Sequence, residues 1–370
     1  MNDKEYIKAL NAMIYLDCCA VNRKIPSAEK IAQMNIDNVF EAAQKHMLTA
    51  LTAFALESAG VFDGKFTEEK YKAICKVATL DGERKSIIDK LEKQGIWYMP
   101  LKGVILKDLY PEFGMRQMSD NDILFDQEYR EEVKQIMIDN GFTVGHFGKG
   151  KDDAYFKQPV SNFEMHCLLA AVSDGNKAMY PYYEHIKNKL LKDPDNRCGY
   201  HFSNDDMYIY LCAHESKHYN HGGTGIRSLI DTYVFLKEYG DTLNMKYIVR
   251  ECEKLGIAEF EKDNRELSLD LFGCKKLSDK DKGMLRYIAF SGTYGTFDNT
   301  VKNKLDKVNG SKLRYAFNRI IIPMNKIRDY FPFFYKHKWL IPILPFYRVI
   351  KGLATNRKLL KKEFNLINKR

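Results

Sequence analysis

The chain has 370 residues, 45% hydrophobic and 29% charged, with a formal net charge of +9. That length allows about two to three domains, and the composition is that of a folded globular protein rather than a disordered or fibrous one. The charge is uneven: residues 301–370 hold 18 Lys or Arg against three acids (Asp306, Asp329 and Glu363), so this tail carries +15 and the first 300 residues carry −6. Such a tail suits phosphate, nucleic acid or an anionic membrane surface, and otherwise is a solvated cationic face.

No pair of the eight cysteines has Cys-x-x-Cys spacing, and Cys18 and Cys19 are adjacent, which suits neither a zinc site nor an easy disulfide. The first five residues include charges and begin no long apolar run, so no signal peptide is expected, and a cytoplasmic protein with reduced thiols is.

In chain order, residues 1 to about 80 read as helices. Tyr6-Ile7-x-x-Leu10, Ile36-x-x-Val39-Phe40 and Leu48-x-x-Leu51 keep near-helical spacing. Near Arg84 the pattern changes. Ile87-Ile88-x-x-Leu91 predicts one more helix, stopped by Gly95. Ile96-Trp97-Tyr98-Met99 predicts a buried strand. A turn through Lys102-Gly103 leads into a short helix, the strand–turn–helix layout of an α/β unit. Further strands are expected at 122–125, 142–147, 154–157 and 163–168, with a helix at 128–140 between the first two. Beyond residue 204 the chain is helical again. One helix runs from a cap-rich Ser203-Asn204-Asp205-Asp206 entry to about Tyr219, and another passes through Asp231 to Tyr239. These changes predict four segments: 1–85 helical, 86–200 an α/β core, 201–305 helical, and 306–370 a basic aromatic tail. The tail's apolar cluster at 339–346 is short and broken by Pro342 and Pro345, so it cannot span a bilayer. Docking of the tail on the main body is the favoured expectation, ahead of weak peripheral membrane contact or nucleic-acid contact. Its end reads as a basic amphipathic helix.

The chemistry concentrates in Arg116-Gln-Met-Ser-Asp120-Asn-Asp122-Ile-Leu-Phe. Aspartates at i and i+2 on a strand end face the same way and can share hard divalent cations. A polar surface turn is the bland alternative. Glycine at Lys102-Gly103 lets backbone approach phosphate at a helix start, and Lys102 can add a charged contact. A third acid, Glu164, sits mid-strand, where an unpaired carboxylate is costly; metal binding or an exposed salt bridge would explain it. Neutralising Asp120 and Asp122 together is expected to leave folding intact and to relieve repulsion between them.

Pro100-Leu-Lys-Gly, Leu109-Tyr-Pro, Arg116 with Asp120-Asn-Asp122-Ile-Leu, and Phe163-Glu-Met-His166 resemble an uncharacterised bacterial nucleotidyltransferase family with the polymerase-beta-type fold. The similarity continues through His214-x-x-x-His218, Arg227 and Asp231. It implies an α/β (α+β) nucleotidyltransferase core with a small mixed sheet, flanked by N-terminal and C-terminal helical segments. It implies that Asp120, Asp122 and Glu164 are catalytic and bind metal, that Lys102, Gly103 and Arg116 contact phosphate, and that His166, His214, His218 and Asp231 line a substrate cleft. Arg116 would alternatively tie down its loop. Lys102-Gly103 stands where other such transferases have a Gly-Ser turn. The implied cofactor is Mg²⁺, as two ions, with Mn²⁺ an alternative. The implied reaction moves a nucleoside monophosphate from a nucleoside triphosphate to an unknown acceptor hydroxyl, on a small molecule or a macromolecule.

Two alternatives stand beside this reading. One is a non-catalytic nucleotide-binding protein with a decayed transferase core. The other is a zinc metalloprotease, because His214-Glu215-Ser-Lys-His218 fits His-Glu-x-x-His, with His221 as a third ligand. The resemblance accounts for both histidines without zinc.

Overall fold

A computed structural model of the chain describes residues 1–148, 150–171, 176–293 and 295–368. The chain opens with α1 (Asp3–Val21), α2 (Ala28–Ala32), α3 (Ile36–His46), α4 (Thr49–Ser58) and α5 (Gly64–Gln94). Apolar side chains Phe66, Ala73, Val77, Leu80, Ile87 and Leu91 recur at helical spacing along all 31 residues of α5, and Gly95 closes it with φ +73°. The helix expected around Ile87 is therefore the last part of α5, and the segment boundary expected at 85/86 falls inside one continuous element.

The middle of the chain holds β1 (Tyr98–Pro100), α6 (Lys102–Leu106), β2 (Asn121–Phe125), α7 (Arg130–Asp139), β3 (Thr143–His146), β4 (Asp152–Lys157), β5 (Ser161–His166) and α8 (Met179–Tyr183). A separate two-stranded ribbon, β6 (Leu191–Lys192) with β7 (Tyr200–His201), follows. The five-stranded sheet has the order β1-β2-β5-β4-β3. Only the β2–β5 pairing is parallel, so the sheet is mixed.

Strand alternation gives the sheet two unlike faces. On one, Ile123, Phe125, Phe163 and Met165 pack against Ile87 and Leu91 of α5 and Val133, Ile136 and Met137 of α7. On the other, Met99 and Leu124 meet a second cluster that includes Tyr210 and Leu211 of the next helix, α9 (Asn204–His221). The remaining elements are α10 (Ile226–Tyr239), α11 (Met245–Lys254), α12 (Ala258–Phe272), α13 (Asp279–Ser291), α14 (Phe297–Asp306), α15 (Lys312–Ile320), α16 (Met324–Tyr330), α17 (Pro332–Lys336), α18 (Leu344–Thr355) and α19 (Arg357–Asn368).

The helices before and after the sheet share one core. Met13, Leu16, Val39 and Leu51 pack with Ile230, Leu267, Phe272 and Ile288. Among the described residues, no helix is long and apolar enough to cross a membrane. The tail packs in part: Ile327 and Leu344 are buried, and Lys326 and Arg328 of α16 lie near enough to His221 and Tyr180 to act on them, whereas Leu313, Phe317, Trp339 and Phe346 are exposed. Its packed side meets α14, where Tyr315, Leu366 and Ile367 cluster with Val301 and Leu305, and Glu363 accepts hydrogen bonds there from the Tyr315 hydroxyl and Arg319. Docking on the body, the favoured expectation for the tail, therefore describes its packed side, while the apolar side chains at Leu313, Phe317, Trp339 and Phe346 remain exposed.

Candidate active site

Two interlocked elements hold Asp122 in place. Asn121, its neighbour, points to the opposite sheet face, where it accepts from Arg84 Nη1 at 2.9 Å and donates to the Leu80 carbonyl at 2.9 Å, both on α5. The Asp122 carbonyl accepts from the Leu101 N–H at 2.9 Å, which sets the start of α6 against β2. The side chain of Asp122 then lies on the face toward α9.

The parallel register places Asp122 directly opposite Glu164 and Leu124 opposite His166. Because side chains two apart on a strand share a face, Asp122, Glu164 and His166 converge, and one donor atom from each lies within 4.8 Å of the others. Among the described residues this is the set of three or more acids, cysteines and histidines close enough to hold a metal ion. Asp120, two residues earlier, lies outside that close set, although its carboxyl interacts electrostatically with both Asp122 and Glu164.

His166 and Lys102 share the Asp122 carboxylate. Lys102 Nζ lies 3.0 Å from Oδ2 and His166 Nε2 lies 2.9 Å from Oδ1, with Glu164 Oε2 3.7 Å from the same nitrogen. Lys151 Nζ sits 3.4 Å from His166 Nδ1. An ammonium can only donate, so Nδ1 accepts and Nε2 carries the proton that it gives to Asp122. Burial, then Lys151, lowers the imidazole's basicity against the pull of Asp122, which suits a neutral ring.

The charges are unevenly matched. Burial alone would raise the Asp122 carboxyl, but Lys102 and His166 outweigh it and hold the group well below the usual carboxylate range. Asp120 is raised, by burial first and then by Asp122. Glu164 is pushed up to about 7, by burial and then by Asp122, Asp120 and Asp152. At this corner of the sheet burial and the neighbouring Asp122 keep the Asp120 and Glu164 carboxyls raised although Lys102, Arg227 and Lys76 act on the first and Lys151 on the second, which is the electrostatic condition for a cation site.

The other candidate residues fall into two groups. Arg116 and Asp231 are both buried and pair bidentately, Nε to Oδ1 at 2.7 Å and Nη2 to Oδ2 at 2.9 Å, and the Tyr110 hydroxyl donates to Oδ1 at 2.8 Å. Arg116 is thereby committed to anchoring the loop before β2 on α10, and Asp231 is its partner rather than a cleft-lining acid. Gly103 is buried, and a Cβ there would meet Met118 Cε at 3.1 Å and Arg116 Nη1 at 3.3 Å. Its lack of a side chain serves close packing of α6 on this anchor.

His214 and His218 lie one turn apart on α9 with their Nε2 atoms 3.1 Å apart. Burial, then Lys102, holds His214 well below the usual imidazole range, and His218 is lowered to about 4 by desolvation, Lys102 and Lys217. Both histidines therefore sense the Lys102 ammonium across the cleft. Glu215 points away from them into the helical core, where it accepts from Thr232 at 3.1 Å and Asn264 at 3.0 Å. The protease reading needs that carboxylate beside a metal held by the two histidines, and the geometry places it elsewhere.

Sequence reasoning placed His166 in the cleft without giving it a contact to Asp122, although its i+2 spacing from Glu164 on a strand was a signal for a shared face. Lys151 was missed. It precedes β4 in sequence and reaches the site because the Cys167 and Leu168 N–H groups both bond its carbonyl, a contact no local pattern announces.

The geometry has a counterpart in known sequences. The model of the family described as uncharacterised nucleotidyltransferase matches residues 32–273, a stretch that contains the whole sheet, α9 and α10 and stops before the basic tail. No curated protein and no solved structure matches the chain. With about two thirds of its length matched, the chain belongs to this nucleotidyltransferase family.

Proposed function

We propose that the protein transfers a nucleoside monophosphate from a nucleoside triphosphate to an acceptor hydroxyl at the sheet corner formed by Asp120, Asp122, Glu164 and His166, within a core of the polymerase-beta type. The observation that carries this reading is the convergence of Asp122, Glu164 and His166 within 4.8 Å, beside a second raised carboxyl, Asp120. The donor set fits a divalent cation. Two carboxylates suit Mg²⁺ or Mn²⁺, and His166, with Nε2–H given to Asp122 and Nδ1 turned to Lys151, orients that donor set. When bound, such a cation neutralises phosphate charge and acts as a Lewis acid.

The chain's own groups supply the rest. His166 orients Asp122 through its Nε2–H. Lys102 balances Asp122 in the metal-free protein and lies where it can pair with a phosphate oxygen instead. Glu164, whose side chain is 43% exposed, is the acid open to an incoming acceptor, and a group near neutrality is suited to take the hydroxyl proton. Neutral His214 and His218 close the α9 side with hydrogen-bonding groups that add no charge.

The test is incubation of purified protein with Mg²⁺ or Mn²⁺, each α-labelled nucleoside triphosphate and a cell extract, followed by a search for labelled acceptor. Calorimetric titration of the nucleotides into wild type and an Asp120→Asn/Asp122→Asn variant accompanies it. Transfer together with metal-dependent binding, both lost in the variant, is the expected result. Equal, metal-independent binding to both proteins would instead favour a nucleotide-binding protein without catalysis.

A further inference from the structure

We infer that the C-terminal tail is a docking surface for an anionic lipid bilayer, which it enters from one side without spanning. Trp339, Ile343, Phe346, Ile350 and Leu353 recur at intervals of three or four residues through the turn before α18 and along it, and all five are exposed, Trp339 by 75% and Phe346 by 71%. That spacing puts Ile343, Phe346, Ile350 and Leu353 on one helical stripe, with Trp339 exposed in the turn that precedes it. A second stripe, Leu313, Phe317 and Ile321, lies along α15, with Leu313 85% exposed. These stripes are not the surface of an unfolded segment. The opposite side of α15 buries Tyr315 against α14 and α19, and Glu363 is held there by Tyr315 and Arg319. Among the described residues the tail thus has a closed side and an exposed apolar side.

Charge identifies the occupant. Residues 301–370 carry +15, and Lys351, Arg357 and Lys358 are exposed on and beside α18. A second copy of the same face would bring two strongly positive surfaces together. Nucleic acid would satisfy the cations but offers aliphatic side chains such as Ile350 and Leu353 no apolar medium. An anionic bilayer satisfies both, by headgroup charge for Lys and Arg and acyl chains for the stripe, with Trp and Tyr at the boundary. The apolar helices are too short to cross it. This inference stands independently of the transfer reaction, because the tail lies outside the matched residues 32–273.

The experiment is flotation of the full-length protein with vesicles of phosphatidylcholine alone and of equimolar phosphatidylcholine and phosphatidylglycerol, at low and physiological salt. Binding to the anionic vesicles, weakened by salt, is expected. Phe346→Ser and Ile350→Ser should each weaken it by about tenfold, and Lys351→Gln, Arg357→Gln and Lys358→Gln by about fivefold each. All five positions are exposed, so folding is spared, and an unchanged circular dichroism spectrum checks this. An independent readout is Trp339 emission in a Trp97→Phe background, which should shift to the blue with anionic vesicles. The inference is overturned by failure to float with any vesicle, by an unmoved Trp339 spectrum, by binding that survives both sets of substitutions, or by tighter binding to an RNA homopolymer than to the vesicles. Concentration-dependent dimerisation in light scattering that is abolished by Phe346→Ser, without vesicle binding, would assign the face to a second copy instead.

Discussion

Arg116 with Asp231 and Lys102 with Asp122 each bring a cation against a buried aspartate, and the two pairs do opposite things. At the loop anchor, Arg116 and Asp231 use two hydrogen bonds to each other and Tyr110 fills the remaining demand, so one charge meets one charge and the group is closed. At the sheet corner, Lys102 and His166 serve Asp122, while Asp120 and Glu164 stand nearby with carboxyls raised by burial and by Asp122 in spite of the cations around them. A balanced buried pair holds a loop in place; an unbalanced one is poised to take a cation. The contrast separates structural from functional charges although both are carried by residues from the same short stretch, 116–122.

The comparison makes its largest claim about activity. Asp122→Asn or Glu164→Gln should lower transfer by on the order of a hundred- to a thousandfold, the scale of removing one well-placed electrostatic group, while Asp231→Asn should act mainly through stability. A labelled-nucleotide assay on folded variants decides it, and an Asp122→Asn protein with full activity would break the distinction. The two site variants should also differ in the metal-free state. Asp122 accepts from Lys102 and His166, so its neutralisation costs stability, contrary to the expectation that relief of repulsion dominates. At Glu164 that relief does apply, because its charged neighbours are mostly negative. Thermal melts in chelator should rank Asp122→Asn below wild type and Glu164→Gln at or above it.

Next in size is the anchor. Arg116→Ala leaves Asp231 buried without its cation and should cost about 3–5 kcal/mol in urea unfolding. Arg116→Met combined with Asp231→Leu should cost less than the single change. Additive losses in the double variant would show that the pair is not a closed unit.

A third buried polar group sharpens the lesson through pH. His46 lies in the helical core, 3.0 Å from the Tyr6 hydroxyl, with Nδ1 accepting from the Ile226 N–H. Burial, then Lys45, lowers it to about 3. The folded protein therefore binds its proton less readily than the unfolded chain does. The stability from this neutral ring is complete above about pH 6.5 and is lost as pH falls from there toward 3, by about 1.4 kcal/mol per pH unit. Unfolding free energies of wild type and His46→Gln between pH 7 and 5 should converge on acidification; a constant difference would show that the ring is not held neutral.

The smallest effect belongs to Gly103. Alanine there meets the movable end of Met118 and the guanidinium of Arg116, which Asp231 pins, so its cost should stay within about 1–3 kcal/mol. Transfer should persist if the glycine serves packing. Loss of nucleotide binding with unchanged stability would restore it to the phosphate site.

Much of this was legible in the chain. Helical and alternating apolar periods marked α1, α3, β2, β5 and α9, because burial of one side imposes those repeats wherever the partner lies. Asp122 and Glu164 were legible as a carboxylate with a near neighbour at i−2 and an acid within an apolar strand. The basic tail was legible as charge alone. Pairings between distant segments were decided only by the tertiary structure. The parallel register sets Asp122 against Glu164, 42 residues later, and brings in His166. It leaves Asp120 outside the close set, and a turn of chain delivers Lys151. Arg116 and Asp231, 115 residues apart, found each other and so left the phosphate and cleft roles expected of them. The unbroken α5 and the core shared by the first and last helical segments likewise depend on which faces meet. A local sequence fixes the period of a face and the kind of group on it, because those follow from backbone geometry. What that face meets, and so whether a charge is balanced, depends on chain closure across many residues, which no local pattern encodes.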